Sequence, residues 1–250
     1  PTIVNNVETL SNVPWILTHG ADKYKEFGSE TSPGTRMLAI SGHVNRPGVY
    51  EVEQGEVTFR ELFYGDNYCQ GIRNGGDVKM FIPGGGSAPW FFEDQLDLKL
   101  EAKEVGAAGS MLGSGALVVM DQTTDAVKAC LRVVRFFARE SCGKCTPCRE
   151  GTSWEEKILQ RILDGNGRPE DLDLLLDVGS QISPGDYPKA AWPAEGLEAV
   201  PFPPKQTTIC PLGPSSVAPI TSALRRFRPE FEAKIAEASH LNPDTVGADK

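Results

Sequence analysis

Three cysteines separated by two-residue spacers constrain this chain more than any other feature of its sequence. Cys142, Cys145 and Cys148 lie in one short segment, and Cys210 follows much later in a Cys-Pro dipeptide. Two-residue spacers let three thiolates of one loop converge on three irons of an iron–sulfur cube, so the fourth iron needs a ligand from elsewhere. A fold that uses all four cysteines must therefore bring two distant loops together.

The same cysteines admit three other interpretations. A structural zinc site also uses four cysteines, although usually as two pairs. A redox dithiol needs only one C-x-x-C, and cysteines without a ligand can be ordinary core residues. A disulfide framework is not expected, because a chain of 250 residues with 40% hydrophobic residues can build a core without one. We prefer a [4Fe–4S] cluster on the thiolates of Cys142, Cys145, Cys148 and Cys210, with Cys130 as a core residue on an apolar helix face.

The residues around the cysteine triplet suit an anionic cluster. Gly143 leaves room beside the cluster and frees a backbone N–H, while Lys144 and Arg149 add positive charge. Hydrogen bonds and positive charge raise the reduction potential of such a cluster. Helix N-termini are expected directly after Cys148 and Cys210, where their free N–H groups would act in the same direction.

The chain before residue 121 has the chemistry of strands. Strands are predicted at 37–40, 49–52, 78–82 and 116–120, with a turn at 45–48. Thr58 and Glu61 have the spacing of a capping box at the start of a short helix. We predict an α+β fold in which a β-grasp-like domain occupies residues 35–120. Residues 1–30, which include an apolar stretch from 10 to 17, are expected to be the end of a larger domain.

From residue 123 onward the apolar period becomes helical. Four apolar stripes recur at spacings of three and four residues: Val127, Cys130, Leu131 and Val134, then Trp154, Ile158 and Ile162, then Leu172, Leu175 and Leu176, and finally Val217, Ile220, Leu224 and Phe227. Four amphipathic helices are enough for a four-helix bundle, which we assign to residues 121–236, with a tail at 237–250. The stretch 183–205 contains six prolines and is expected to be an extended surface loop.

Charge and hydropathy restrict the possible partners. The net charge is −9, and the basic residues are scattered apart from Arg225, Arg226 and Arg228. An acidic chain without a basic patch binds nucleic acid poorly, and we expect this arginine trio to be a solvated helix end because Pro229 follows it. No apolar run reaches the roughly 18–20 residues that span a bilayer. A soluble chain without direct membrane insertion is therefore expected.

The cysteine segment resembles the signature of a known family. Residues 140–151, Glu-Ser-Cys-Gly-Lys-Cys-Thr-Pro-Cys-Arg-Glu-Gly, are similar to the signature of the F-type, flavin-bearing NADH-dehydrogenase subunit of respiratory complex I. Segments 1–10, 40–50 and 210–213 resemble, in the same order, its asparagine-rich flavin-pocket segment, its β-grasp (SLBB) domain and the segment with its fourth cluster ligand. The resemblance implies an enzyme subunit that passes electrons from NADH through FMN and a [4Fe–4S] cluster to quinone. Diaphorase subunits of NAD-linked hydrogenases and formate dehydrogenases share these motifs and remain the alternative.

The resemblance also implies a missing part. Family members bind FMN and NADH with a glycine-rich loop of an N-terminal α/β domain. The glycines at 84–86 and 109–115 lack the strand–turn–helix context of such a loop and are interpreted as turns. We therefore expect a C-terminal fragment that does not oxidise NADH alone.

Flavin contacts follow from the resemblance rather than from spacing. Asn5, Asn6 and Thr9 match family positions that touch FMN, and their amide and hydroxyl groups can satisfy its polar edges. Leu212 and Gly213 are expected near the isoalloxazine ring. From the residue types alone, the two asparagines could merely turn the chain before a helix.

Partners and location are likewise implied by the resemblance. They would be the E-type and the large iron–sulfur G-type subunits of the peripheral arm, on the cytoplasmic side of the bacterial inner membrane. A rival from another class is a binding module, in which the β-grasp domain binds a ligand or partner and the metal is purely structural.

Overall fold

The computed structural model describes residues 1–184 and 205–241, with side chains to residue 237. Helices and strands are mixed along the chain, which confirms the predicted α+β class. The chain divides into two units, of which the first contains residues 1–85 and 91–122 and the second contains 86–90 and the described residues from 123 onward. The loop expected at 183–205 and the tail expected at 237–250 lie mostly outside the described residues.

The first unit begins with two helices, α1 (Val7–His19) and α2 (Ala21–Tyr24). Asn6 is the N-cap of α1, and its side-chain oxygen accepts the Thr9 N–H at 3.3 Å, which satisfies one of the donors that every helix start leaves unpaired. The apolar residues of α1 stay largely exposed, and the helix buries no side chain in this unit. The apolar stretch 10–17 is therefore helical but adds nothing to the core.

A five-stranded sheet follows in the first unit. Its strands are β1 (Thr35–Gly42), β2 (Gly48–Glu53), β3 (Val78–Ile82), β4 (Phe91–Phe92) and β5 (Ala116–Asp121), and their order in the sheet is β2-β1-β5-β3-β4. β1 and β5 are parallel, whereas the other three pairs are antiparallel. All four strands predicted from the sequence are present. β4 was missed because two residues are too few to show a period.

The core of the first unit packs beneath two short helices, α3 (Phe59–Tyr64) and α4 (Ala102–Ala107). Thr58 caps α3 as predicted, since its hydroxyl accepts the Glu61 N–H at 3.1 Å. Behind this cap, Phe59 and Phe63 lie with ring centroids 4.9 and 5.1 Å from that of Phe81. Such tilted and edge-on aromatic pairs stabilise a core beyond the area they bury.

The second unit contains four longer helices: α5 (Ala126–Glu140), α6 (Thr146–Leu163), α7 (Asp171–Ile182) and α8 (Leu212–Leu241). α6 contacts each of the other three, and α8 also contacts α5 and α7. The predicted stripes form the core between them, including Cys130, which is fully buried as expected. Trp154 is an exception, because it is 54% exposed although its spacing placed it with Ile158 and Ile162.

The arginine trio lies at a break inside α8, so the expected helix end is present but the trio is not fully solvated. Arg225 and Arg226 precede Phe227, whose φ of −122° and ψ of 21° are not helical, and a further helical segment follows to Leu241. Arg228 is only 9% exposed and pairs with Asp173 at 3.1 Å and Glu232 at 3.0 Å. Within residues 1–184 and 205–241, no helix is long and apolar enough to cross a membrane.

Candidate metal centre

The end of α5 and the start of α6 position the cysteine triplet. α5 ends at Glu140, Cys145 is the N-cap of α6, and Cys148 lies in the first turn of that helix. The helix was expected to begin after Cys148. It begins at Thr146 because Pro147 occupies its first turn, where proline needs no N–H partner and has a suitable φ.

Cys210 is held near the end of α7 by its own segment. The Thr207 N–H donates to the Ile182 carbonyl at 3.1 Å, and the Thr208 hydroxyl donates to the Cys210 carbonyl at 2.7 Å. Gly213 completes this anchor, because a Cβ there would stand 2.6 Å from Thr208 Cγ2 and 2.9 Å from Ile182 Cγ2. Sequence reasoning missed the anchor, since threonine pairs of this kind carry no distinctive spacing.

The structure brings Cys142, Cys145 and Cys210 into electrostatic range of Cys148. None of the six cysteines of the chain forms a disulfide. Cys148 is buried, and burial is the main reason why the pKa of its thiol is raised. The thiols of the other three cysteines raise that pKa further through repulsion between like charges. Cys142 and Cys210 are exposed, so the group opens toward solvent.

The arrangement of donors distinguishes between metals. Among the described residues, no group of three or more histidine, cysteine or acidic side chains is close enough to hold one metal ion. A structural zinc site usually takes its four cysteines as two pairs. In a [4Fe–4S] cube each thiolate binds a different iron. Three cysteines on one short loop with a single remote fourth therefore fit the cluster better than zinc.

Polar contacts order the loop that carries the triplet. Gly143 has a φ of +73°, which favours glycine. Arg149 donates to the Gly143 carbonyl at 2.9 Å and, with its Nε, to Glu150 at the same distance. Ser141 Oγ lies 3.2 Å from Cys148 Sγ and partly offsets the raised pKa of that thiol. The guanidinium predicted to add positive charge is therefore also fixed to the loop.

A buried acid lies deeper in the same unit and was not predicted. Glu155 is on the inner face of α6 and is fully buried, and burial raises the pKa of its carboxyl from 4.5 to about 8. The signal was available, because Gly151, Glu155, Ile158 and Ile162 share one helix face. Sequence reasoning missed Glu155 because Glu156 follows it, and two adjacent glutamates are typical of a solvated helix face.

The residues expected at FMN are divided between the two units. Asn5, Asn6 and Thr9 lie at the exposed start of α1, where Asn6 serves as the cap described above. Leu212 is half-buried at the start of α8, and Gly213 is buried. The capping role of Asn6 agrees with the interpretation that the two asparagines turn the chain into a helix. Asn5 is exposed just before that helix.

Comparisons with known proteins agree on one family. Residues 128–188 match the family model of the NADH-ubiquinone oxidoreductase-F iron-sulfur binding region. The F subunit of the NADH-quinone oxidoreductase of Mycobacterium tuberculosis (strain H37Rv) is 42% identical over 94% of this chain and 47% of its own length. The F subunit of the Rickettsia conorii NADH-quinone oxidoreductase is 38% identical over 96% of this chain and 51% of its own length.

A solved structure of another enzyme is also similar to this chain over most of its length. An NAD+-reducing [NiFe]-hydrogenase in the air-oxidized state has a TM-score of 0.73 and 27% identity, covering 94% of this chain and 36% of that chain. The chain spans about half the length of the curated relatives it matches.

Proposed function

Because this chain belongs to the family of NADH-quinone oxidoreductase F subunits, we propose that it carries electrons from NADH, by way of FMN, through a [4Fe–4S] cluster and on to quinone. The resemblance predicted from residues 140–151 is confirmed by these relatives. Their greater length is consistent with a C-terminal fragment of a longer polypeptide. The activity, substrates and partners of the whole protein are accordingly proposals for this chain.

Cys142, Cys145, Cys148 and Cys210 would hold the cluster. The observation that carries this proposal is placement: the other three cysteines all lie close enough to Cys148 to act on its thiol, at the junction of α5, α6 and α8. The cluster would supply one-electron transfer, which splits the two electrons of a flavin into single steps. The chain would supply its setting: Ser141 next to the Cys148 sulfur, and Arg149 fixed on the Gly143 carbonyl.

The finer architecture is also a proposal. The strand order β2-β1-β5-β3-β4, with a parallel central pair and α3 over the core, supports a β-grasp (SLBB) domain over residues 35–120. The contacts among α5, α6, α7 and α8 support a four-helix iron–sulfur domain over 121–236. Residues 1–30 would complete an FMN- and NADH-binding domain, and 237–250 would be a tail.

Asn5, Asn6, Thr9, Leu212 and Gly213 would contact FMN, with NADH as the hydride donor. Exposure of the first three leaves their polar groups available to a flavin. Because the rest of the flavin domain would lie in the missing half, we expect residues 1–250 alone, supplied with FMN, to show no NADH:ferricyanide activity. Clear activity would place the nucleotide site within this chain.

The assembly would be a multi-subunit complex. We propose the E-type and the large iron–sulfur G-type subunits as neighbours, on the cytoplasmic side of the bacterial inner membrane. A diaphorase subunit of a hydrogenase or formate dehydrogenase is the second candidate, supported by the hydrogenase structure at 27% identity. The relatives from NADH-quinone oxidoreductase reach 42% identity and favour the first. Copurification of a nickel or molybdenum subunit instead of a quinone-linked arm would reverse that order.

Electron paramagnetic resonance of the full-length subunit tests the cluster. After dithionite reduction we expect a signal from one reduced cluster and about four irons per chain. The variant C210S should lose or alter that signal, whereas C130S, at a fully buried cysteine on α5, should keep it. Stoichiometric zinc, or no signal from iron-loaded protein, would exclude electron transfer through this site and favour a binding module.

A further inference from the structure

The buried acid Glu155 is the strongest unassigned feature of the second unit. Its side chain is fully buried, and neither carboxyl oxygen receives a hydrogen bond from the residues that the structure describes. A carboxylate without partners in such a place is strongly disfavoured relative to the neutral acid. Retaining an ionisable group here therefore needs a reason beyond packing.

Three helices pack against α6, and no cationic side chain of the part of the chain that the structure describes contributes to the shifted pKa of this carboxyl. α5 contributes the Cys130 thiol, whose own pKa is raised well above the ordinary value by burial and then by Glu155. α8 contributes the Ser216 hydroxyl, which lowers the pKa of Glu155 less than burial raises it and donates its proton to the Gly213 carbonyl at 2.7 Å. α7 contributes Gly179, where a Cβ would stand 4.0 Å from Glu155 Oε1.

Glu155 lies on the same buried face of α6 as the proposed cluster ligand Cys148. Seven positions separate it from Cys148, which is almost two turns, so both residues share one face about 10 Å apart along the axis. Thr152 lies between the two residues on α6, and its hydroxyl donates to the Cys148 carbonyl at 2.8 Å. The intervening protein is buried side chain rather than solvent, so screening between the two sites is weak.

We propose that Glu155 is a redox-linked proton-binding site: when the cluster held by the four cysteines gains an electron, Glu155 takes up a proton from solvent. The proposal rests on the cluster of the proposed function. The step balances as one electron to the cluster, from reduced flavin or from dithionite in the experiment, and one proton from water to the Glu155 carboxylate. No covalent bond other than the carboxyl O–H is formed.

The size and the pH range of the coupling follow from charge and distance. One added negative charge about 10–15 Å away, at an effective dielectric constant of about 20, shifts a protonation equilibrium about tenfold. Since burial raises the pKa of Glu155 to about 8, the coupling should act at and above that pH. Below it Glu155 is neutral in both redox states, and well above it Glu155 is charged in both, so the potential becomes independent of pH at either end.

Redox titration of the full-length subunit, followed by the cluster's paramagnetic signal from pH 6 to pH 10, tests the proposal. We expect the reduction equilibrium constant to fall about tenfold across this range, which is about 59 mV for a one-electron couple. E155Q should stay at the low-pH value throughout. E156Q is the matched control, since Glu156 is the next residue but is partly exposed and paired with Arg135, and it should behave as the wild type.

Each outcome decides between hypotheses. A wild-type potential that does not change with pH, or an E155Q potential that changes as much as the wild type, would overturn the proton-binding role. Absence of any cluster signal would instead refute the proposed function. If E155Q does not fold, infrared difference spectra of the wild type on reduction at pH 8.5 provide a second readout. A carboxylic C=O band that appears and shifts in D₂O is expected, and its absence would also overturn the proposal.

Discussion

Replacing Glu155 with glutamine should change how the stability of the second unit depends on pH. The carboxyl is fully buried, and its pKa rises from 4.5 in the unfolded chain to about 8 in the folded one. Between these values the folded state binds the proton and the unfolded state releases it. The acid therefore contributes stability that is complete below pH 4.5 and is lost as pH rises toward 8.

The magnitude follows from the size of the shift. Each pKa unit corresponds to about 1.36 kcal/mol, and a shift from 4.5 to about 8 gives a loss of about 5 kcal/mol in the free energy of unfolding across that range. E155Q has the same shape but cannot ionise, so it should not lose this amount. At pH 5 the two proteins should be similarly stable, and at pH 8 the variant should be the more stable one.

Denaturant unfolding at several pH values between 4.5 and 8.5 measures this difference directly, with the cluster content of each pair of samples matched. The informative quantity is the difference in unfolding free energy between E155Q and the wild type, because titration of other groups cancels in it. E156Q should give a difference that is constant with pH. A constant difference for E155Q as well would show that Glu155 is solvated or paired, and the reasoning from burial would be wrong.

Three further substitutions test local claims. S141A should lower the reduction potential of the cluster, because the hydroxyl 3.2 Å from Cys148 Sγ is lost; S141T should restore the potential, and an unchanged potential in S141A would rule the contact out. T58A should cost about 1 kcal/mol in urea unfolding, since it removes the N-cap of α3, while T58S should recover it. G213A should destabilise the protein by about 1–3 kcal/mol, because its Cβ would meet Thr208 Cγ2 at 2.6 Å; equal melting temperatures would show that the Cys210 segment is not tightly anchored.

Periodicity in the sequence predicted the secondary structure wherever elements are long enough to repeat. The parallel pairing of β1 with β5 could not be predicted, because it depends on contacts between segments far apart in the chain. β4 is too short to show a pattern. Trp154 shows a different limit: spacing gives the helix face but not its edge, and this ring lies where the α6 stripe meets solvent.

The candidate site, too, could be predicted from the sequence only in part. Two-residue spacing selected the cysteines, because thiolates that share a cluster must leave one short loop together. Spacing did not reveal how Cys210 reaches them, since that depends on the bond from Thr207 to the end of α7. Nor did it reveal Glu155, because whether a glutamate is buried depends on which helices pack over it.

The sign and number of charged residues near the cysteines are a poor guide to the field that a cluster would experience. Arg149 carries a guanidinium group that is fixed on the loop by its bond to the Gly143 carbonyl. Glu155 and Cys130, by contrast, are ionisable but buried, and their raised pKa values keep both largely neutral at pH 7. Neither buried group therefore adds a full negative charge near an anionic cluster at neutral pH. Raising the pH past 8 would charge Glu155 first, because the pKa of Cys130 is raised well above its ordinary value. The reduction potential of the cluster would then fall, because Glu155 becomes charged although it is not one of the proposed cluster ligands.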